Sequence, residues 1–198
     1  AGETFSLVGE SGCGKSTIAR AIVGLVPHEG QISIAGQMVG TMTAAMRRRL
    51  STAAQIVFQD PMSSLDPRMT VGDQIAEPLL IHGDEDTESR RARASDLMHK
   101  VGLTAAQLDN YPHEFSGGQR QRICIARALA LTPKLLVADE SVAALDVSVQ
   151  ARVLALLQSL KDEFGIAMLF ISHDMAVVEN ISDRVGVMYR GQIVEMGS

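Results

Sequence analysis

The feature that most constrains this chain is a phosphate-binding loop between a short apolar strand and a helix. Residues 9–16 read Gly-Glu-Ser-Gly-Cys-Gly-Lys-Ser and fit the pattern G-x-x-x-x-G-K-[ST]. An apolar run over residues 4–8 precedes the loop, and a helical pattern over about residues 15–25 follows it. The glycines let backbone N–H groups turn toward phosphates, and the dipole of the following helix favours the same anion. The sequence therefore predicts a nucleoside triphosphate site.

The loop also assigns individual roles. The Lys15 ammonium is expected to reach the β- and γ-phosphates, and the Ser16 hydroxyl to bind Mg²⁺. The alternative is a glycine-rich turn that binds no ligand. The motif by itself does not separate kinases, GTPases, motors and transporters. The predicted nucleotide contacts are Gly9, Glu10, Ser11, Gly12, Cys13, Gly14, Lys15, Ser16 and Thr17.

Composition and charge exclude several classes of protein. With 198 residues, 46% hydrophobic and 21% charged, the chain suits about one globular domain and is not a disordered chain. A net charge of −5 argues against a general nucleic-acid binder. No run approaches the ~18 apolar residues of a membrane-spanning helix. Two cysteines cannot form a disulfide framework, so a reducing compartment is expected. No signal-peptide pattern is present, and we expect a chain truncated at both ends.

Short apolar runs alternate with helical patterns along most of the chain, which predicts an α/β fold with a mainly parallel sheet. Residues 63–132 hold no convincing buried strand, and an amphipathic helix is predicted over 87–101 and another over 147–160. We therefore predict one discontinuous α/β core over 1–62 and 133–198, with an inserted helical subdomain over 63–132. Further strands are predicted at 55–58, 135–138 and 166–171, and hairpins at 31–39 and 185–196.

Two acidic residues follow the predicted strand at 135–138. In a phosphate-loop protein, an Asp at such a strand end holds Mg²⁺ directly or through water, which gives Asp139 its predicted role. The neighbouring Glu140 is predicted to polarise the attacking water as a general base. An acid pair after a strand is commonplace and would ordinarily be a surface turn. The phosphate-binding loop upstream is what favours the catalytic interpretation.

The segment Phe115-Ser-Gly-Gly-Gln119 predicts a helix start with an unusual first turn. Ser116 can cap the helix and Gln119 can return the bond in a capping box, and a well-capped helix without further function is the simplest interpretation. The two glycines argue against it, because each weakens the turn by up to ~1 kcal/mol. Their use would be to let backbone approach a ligand, which makes this helix start a second phosphate-binding surface.

These motifs together resemble the ATP-binding-cassette (ABC) ATPases. The resemblance rests on the phosphate-binding loop, on residues 116–130, on the Asp139-Glu140 pair and on His173, and it spans essentially the whole chain. It implies a RecA-like P-loop core that uses ATP and Mg²⁺, with Gln59, Glu140 and His173 as catalytic residues. It implies Ser16, Gln59 and Asp139 at the metal. The residues that would act in trans on the nucleotide of a second ATPase domain are Ser116, Gly117, Gly118, Gln119 and Asp146.

A finer resemblance points to the ATPases of bacterial dipeptide, oligopeptide and nickel importers, and most closely to the C-terminal ATPase half of glutathione importers. It rests on residues 59–70, 111–122, 146–150, 171–179 and 187–195. It implies ATP-driven uptake of small peptides at the cytoplasmic face of the bacterial inner membrane. The implied partners are a second ABC ATPase domain, integral-membrane permease subunits and, indirectly, a periplasmic substrate-binding protein, with no nucleic acid.

Two rival functions also use a phosphate-binding loop. A cassette ATPase of DNA repair or translation would usually carry long insertions or basic arms, whereas this insertion is short and the chain is acidic. A small-molecule kinase or GTPase would leave the Ser-Gly-Gly-Gln segment unexplained.

The chain also departs from the family pattern: Ser141 stands where Pro is usual and Ala143 where Ser is common. The aromatic residue that stacks on adenine upstream of the loop is missing, so we expect weakened nucleotide affinity.

Overall fold

A six-stranded, mostly parallel sheet forms the centre of the fold. The computed structural model describes residues 2–39, 43–83 and 85–198, so parts of the predicted core at residues 1 and 40–42, and Asp84 in the predicted subdomain, lie outside the described residues. The strands are β1 (Thr4–Gly9), β2 (Ile32–Ile34), β3 (Gln37–Val39), β4 (Ala54–Val57), β5 (Leu135–Asp139), β6 (Ala167–Ile171), β7 (Arg184–Tyr189) and β8 (Gln192–Gly197).

The order of the large sheet is β4-β5-β6-β1-β7-β8, and all neighbours are parallel except β7 and β8. β2 and β3 form a separate small hairpin. β5 and β6 are nearly continuous apolar runs because parallel strands are covered by helices on both faces. The predicted α/β fold is therefore confirmed, and each strand lies within one residue of its predicted bounds.

Helices cover both faces of the sheet and fill the segment between β4 and β5. They are α1 (Lys15–Ile22), α2 (Ala44–Ala53), α3 (Pro61–Ser64), α4 (Val71–His82), α5 (Thr87–Lys100), α6 (Gly117–Leu129), α7 (Val147–Phe164) and α8 (Met175–Ile181), with single 3₁₀ turns at Ala105–Gln107 and Pro112–Glu114. None of the helices in the described ranges is long and apolar enough to cross a membrane.

Two helix ends differ from the prediction because glycines set them. The helix predicted over 15–25 ends at Ile22, since Gly24 adopts φ 76° and Leu25 N–H bonds back to the Arg20 carbonyl at 2.8 Å. α7 continues past the predicted residue 160 and ends where Gly165 adopts φ 62°. Apolar spacing marks the buried face of a helix, whereas its last turn is decided by the left-handed residue that follows.

The predicted hairpin turns are confirmed. Ala35 and Gly36 have φ 51° and 77°, and Arg190 and Gly191 have φ 45° and 83°. Positive φ at both central residues is the geometry of the two-residue turns whose twist matches that of the flanking strands.

The segment between β4 and β5 contains only helices and turns among its described residues. Its apolar side chains join those of the sheet in one continuous core, in which Ile75 and Leu97 of the insertion lie with Leu136 and Phe170 of the strands. The division at residues 62 and 132 into core and helical subdomain stays a prediction.

The first turn of α6 lies directly against α7. A Cβ atom added to Gly118 would come within 2.4 Å of Val149 Cγ1, whereas one added to Gly117 would meet no atom within 4 Å. Two adjacent glycines therefore have different roles: Gly118 permits the close approach of two helices, and Gly117 leaves backbone open at the surface.

We expect the Gly118→Ala variant to lose about 1–3 kcal/mol of unfolding free energy, because the branched Val149 side chain cannot move aside without strain. Denaturant titration followed by circular dichroism measures this loss. Gly117→Ala is the matched control and should be neutral or slightly stabilising. Adding Val149→Ala to Gly118→Ala should recover part of the loss, and equal effects of the two glycine variants would contradict the packing argument.

Candidate functional site

The phosphate-binding loop follows β1 and is built on three left-handed glycines. Gly9, Gly12 and Gly14 have φ 152°, 82° and 106°, and Gly14 caps the N-terminus of α1. A Cβ on Gly9 would lie 2.2 Å from the carbonyl oxygen of Met188, so this glycine is also required by the close approach of β7. The loop conformation predicted from the motif is therefore supported by a neighbouring strand as well as by its own glycines.

The hairpin of β7 and β8 supports the other side of the loop. Gly191 N–H donates to the Cys13 carbonyl at 3.0 Å, and Met188 packs beneath Gly14. The residues of β8 are all exposed, so the strand that closes the hairpin has little burial of its own. The Cys13 side chain itself is buried in the core beneath the loop.

The Lys15 ammonium lies inside the loop and is only 5% exposed. Its Nζ donates to the Gly9 carbonyl at 2.8 Å and to the Glu10 carbonyl at 2.9 Å, and it lies 3.7 Å from Cys13 Sγ. A buried ammonium needs such acceptors. They also fix the positive charge at the centre of the loop, where phosphate oxygens are expected.

β5 brings the first predicted acid to the loop. Ser16 Oγ donates to Asp139 Oδ1 at 3.0 Å. Burial is the main cause that raises the pKa of Asp139 above its ordinary value, and the neighbouring Glu140 adds to it, while the bond from Ser16 opposes both. The buried carboxylate is therefore costly unless a cation balances it.

These oxygens fit Mg²⁺ by their chemistry, because hard cations prefer carboxylate and hydroxyl oxygen and keep water or phosphate as further ligands. In the described parts of the chain, no group of three or more His, Cys, Asp or Glu side chains could hold a metal alone. The predicted third member, Gln59, lines the same cavity as Ser16 and Asp139. The metal assignment of these three residues stays a prediction.

Glu140 occupies a strained position between β5 and β6. Its φ is 48°, which is uncommon for a non-glycine residue, and its N–H donates to the Ile171 carbonyl at 3.0 Å. Its carboxylate Oε1 lies 3.5 Å from Nδ1 of His173, which follows β6 and has a side chain 62% exposed. The two predicted catalytic groups are thus brought together by neighbouring strands.

A cavity of about 520 Å³ adjoins this cluster and is here called the Asp139 cavity. Ser16, Gln59 and Asp139 lie in its wall, as the predicted roles require. Sequence reasoning missed three further charged residues in the wall, Asp60 and the two arginines Arg20 of α1 and Arg127 of α6. No motif in the sequence marks either arginine for this cavity, and they share it only because the fold brings two residues far apart in the chain to one cavity.

The residues predicted to act in trans form two exposed helix starts. Ser116 Oγ accepts from Gln119 N–H at 3.4 Å, and Gln119 Oε1 accepts from Ser116 N–H at 2.9 Å, which confirms the capping box. Asp146 caps α7 through Val149 N–H at 3.0 Å, and bonds from the Ser148 hydroxyl and that N–H lower the pKa of Asp146. No hydrogen bond joins either helix start to residues 9–17 within the described ranges, so their role at a second nucleotide stays a prediction.

Comparison with known proteins agrees with this geometry. A sequence model of the family described as ABC transporter matches residues 1–143. The glutathione import ATP-binding protein GsiA is 57% identical over 197 residues in both Pectobacterium atrosepticum and Escherichia coli K12, which is 99% of this chain and 32% of those proteins. The chain therefore spans about a third of the length of the curated relatives it matches.

Solved structures give the same result. The dimeric post-hydrolysis state of the ATP-binding cassette MJ0796, bound to ADP and Pi, superposes with a TM-score of 0.87 at 30% identity, over 100% of this chain and 85% of that one. The cbiO1 protein of Clostridium perfringens, part of the ABC transporter complex cbiONQ, has a TM-score of 0.88 at 28% identity, over 99% of this chain and 77% of that one.

We expect Asp139→Asn to raise the melting temperature of the metal-free protein at pH 7. A carboxylate whose pKa is raised in the folded state destabilises the fold once pH exceeds the unfolded pKa of about 4, and the neutral amide removes this penalty while still accepting from Ser16. The gain should shrink as the pH is lowered toward 4. Calorimetry in chelator at several pH values measures it.

The control is Asp109→Asn, which removes an exposed ion pair with Arg91. It should leave stability unchanged or lower it by less than ~1 kcal/mol. A metal-free Asp139→Asn protein that melts below wild type at pH 7 would contradict the cost assigned to this carboxylate.

Proposed function

The chain belongs to the ABC transporter family, and from this premise we propose that it is the ATP-hydrolysing cassette of an importer of small peptides. The observation that carries the ATPase part is the 3.0 Å bond from Ser16 to Asp139. It joins the phosphate-binding loop to the strand end that bears Glu140. The import part draws on the relatives, whose name is glutathione import ATP-binding protein.

Hydrolysis in this proposal uses residues from three strand ends. Lys15 holds the β- and γ-phosphates, and Glu140 accepts a proton from the attacking water. The water oxygen bonds to the γ-phosphorus as the bond to the β–γ bridging oxygen breaks, which yields ADP and inorganic phosphate. His173 lies beside Glu140 and, in this proposal, contacts the γ-phosphate. Mg²⁺, held by Ser16, Asp139 and Gln59, would supply positive charge against the phosphate oxygens.

A second cassette completes each site in this proposal. The start of α6 offers bare backbone at Gly117, a serine hydroxyl at Ser116 and the positive end of a helix dipole, which together suit phosphate oxygens. These groups are exposed and are not bonded to the chain's own loop among the described residues. The relative MJ0796 is dimeric, which supports an ATP-bridged pair of cassettes.

In this proposal, the conformational change driven by ATP is transmitted to membrane subunits at the cytoplasmic face of the bacterial inner membrane. The segment over residues 61–68 begins two residues after Gln59, and its Met62 is exposed. It is the part of this chain we assign to docking a permease, which would in turn receive cargo from a periplasmic substrate-binding protein. The name of the relatives, glutathione import ATP-binding protein, favours an importer over a cassette of DNA repair or translation.

We expect Glu140→Gln to retain ATP binding and to lose hydrolysis by at least ~100-fold, because the amide cannot accept the proton of water. Phosphate release and nucleotide titration measure the two properties. Glu179→Gln, a carboxylate change on the exposed side of α8, is the control and should turn over normally. Near-normal turnover in Glu140→Gln would remove Glu140 as the base. Lys15→Ala should lose ATP binding altogether.

Cargo is tested by uptake in cells that carry the complete gene. We expect labelled glutathione or small peptides to accumulate with the wild-type gene and not with Glu140→Gln. Di- and oligopeptides and nickel are compared in the same cells. If uptake of every cargo is unchanged in the mutant while purified wild type hydrolyses ATP, the importer assignment is discarded and the ATPase assignment stands.

A further inference from the structure

Two arginines that line the Asp139 cavity have no role in the proposed hydrolysis. Arg20 projects from α1, immediately behind the phosphate-binding loop, and Arg127 lies in the last turn of α6. Both line the cavity together with Gln59, while Ser16 and Asp139 form its boundary with the loop. The cavity therefore adjoins Ser16 and Asp139, where the γ-phosphate chemistry is expected.

Neither guanidinium has a partner in the parts of the chain that the structure describes. Among the described residues, no hydrogen bond or ion pair involves the side chain of Arg20 or of Arg127. By contrast, Arg91 pairs with Asp109, Arg120 donates to the Pro112 carbonyl at 2.8 Å and Arg122 donates to the Val101 carbonyl at 3.2 Å. Arg127 is also half-buried, where an arginine ordinarily finds an acceptor.

The carboxylates of the cavity do not satisfy these arginines. Asp60 accepts from the backbone N–H groups of Met62 at 2.8 Å and Ser63 at 3.3 Å, and these bonds lower its pKa. Asp139 faces Ser16. Two guanidinium groups thus balance two carboxylates, and a divalent ion at Asp139 would make the cavity net positive. The hydroxyls of Ser63 and Ser64 already donate to the Asp60 carbonyl, so the open donors are the arginines and the Gln59 amide.

We propose that the Asp139 cavity is a site for the inorganic phosphate released by hydrolysis, with Arg127 and Arg20 as its principal ligands. This inference rests on the proposed ATPase function. Guanidinium groups bind tetrahedral oxyanions through paired N–H donors, and free phosphate carries the charge that two such groups suit. Phosphate cleaved from the nucleotide moves past Ser16 and Asp139 into this cavity.

The test measures binding of inorganic phosphate to the purified protein in the presence of MgADP, by isothermal titration and ³¹P line broadening. Arg127→Gln and Arg20→Gln should each weaken phosphate binding by about tenfold or more, because a charge-assisted bond is lost. ADP affinity should not change. Arg47→Gln, an arginine of α2 outside the cavity, is the matched control and should bind phosphate as wild type does. Arg127→Lys should fall between wild type and Arg127→Gln, because it keeps the charge and loses the fork.

The proposal is overturned if phosphate binds wild type and both glutamine variants equally, which would place it only at the loop. It is also overturned if wild type binds no phosphate at millimolar concentration. Arg20 is exposed, so Arg20→Gln keeps the test open should Arg127→Gln fail to fold. Phosphate binding needs no turnover. If phosphate binding depends on the arginines but the protein does not hydrolyse ATP, the phosphate site stands and the proposed function is wrong. If the protein hydrolyses ATP but phosphate binding does not depend on the arginines, the proposed function stands and the phosphate site is wrong.

Discussion

The parallel pairing of β1, β5 and β6 is the constraint on which the rest of the site depends. It places the carboxyl ends of these strands at one edge, with Leu7 beside Ile171 and Asp139 beside Ile171 in register. The loop, the acid pair and the histidine each follow one of these ends. A shift of one residue in any pairing would exchange the two covered faces of a strand and misplace its close-packed side chains, so packing of the core holds the register. The Ser16–Asp139 bond is the local result of that long-range arrangement.

Sequence reasoning succeeded where structure is decided locally. The glycine loop, the capping box at Ser116 and the two hairpin turns are each specified by residues a few positions apart, and each is found as predicted. The end of α1 was wrong because a single left-handed glycine outweighs apolar spacing. The arginines of the Asp139 cavity and the contact of Gly118 with Val149 could not be predicted, since they join segments far apart in the chain. Roles in trans stay predictions because they need a second molecule.

Two residues of the site lower the stability of the fold that positions them. Asp139 is ionisable in a place that resists its charge, and Glu140 adopts a backbone angle that costs about 1–2 kcal/mol for an ordinary residue. Asp139 ends the buried strand β5 and Glu140 follows it, and the apolar run of this strand supplies the compensating stability. Strain of this kind persists only where the surroundings over-determine the conformation. Here the bond from Glu140 N–H to Ile171 and the core beneath β5 and β6 do so.

The hairpin of β7 and β8 gives the phosphate-binding loop a dependence on the far edge of the sheet. One hydrogen bond, from Gly191 to Cys13, and one close contact, from Met188 to Gly9, connect the loop to β7 and to the turn that leads into β8, a strand with no buried residue. Such an edge belongs to the part of a protein that opens first in local fluctuations. Opening of the β7–β8 hairpin and loss of the phosphate-binding conformation of the loop are therefore coupled. A partner that binds and stabilises β8 therefore raises the affinity of the loop for nucleotide. By thermodynamic reciprocity, bound nucleotide raises the affinity for that partner by the same factor.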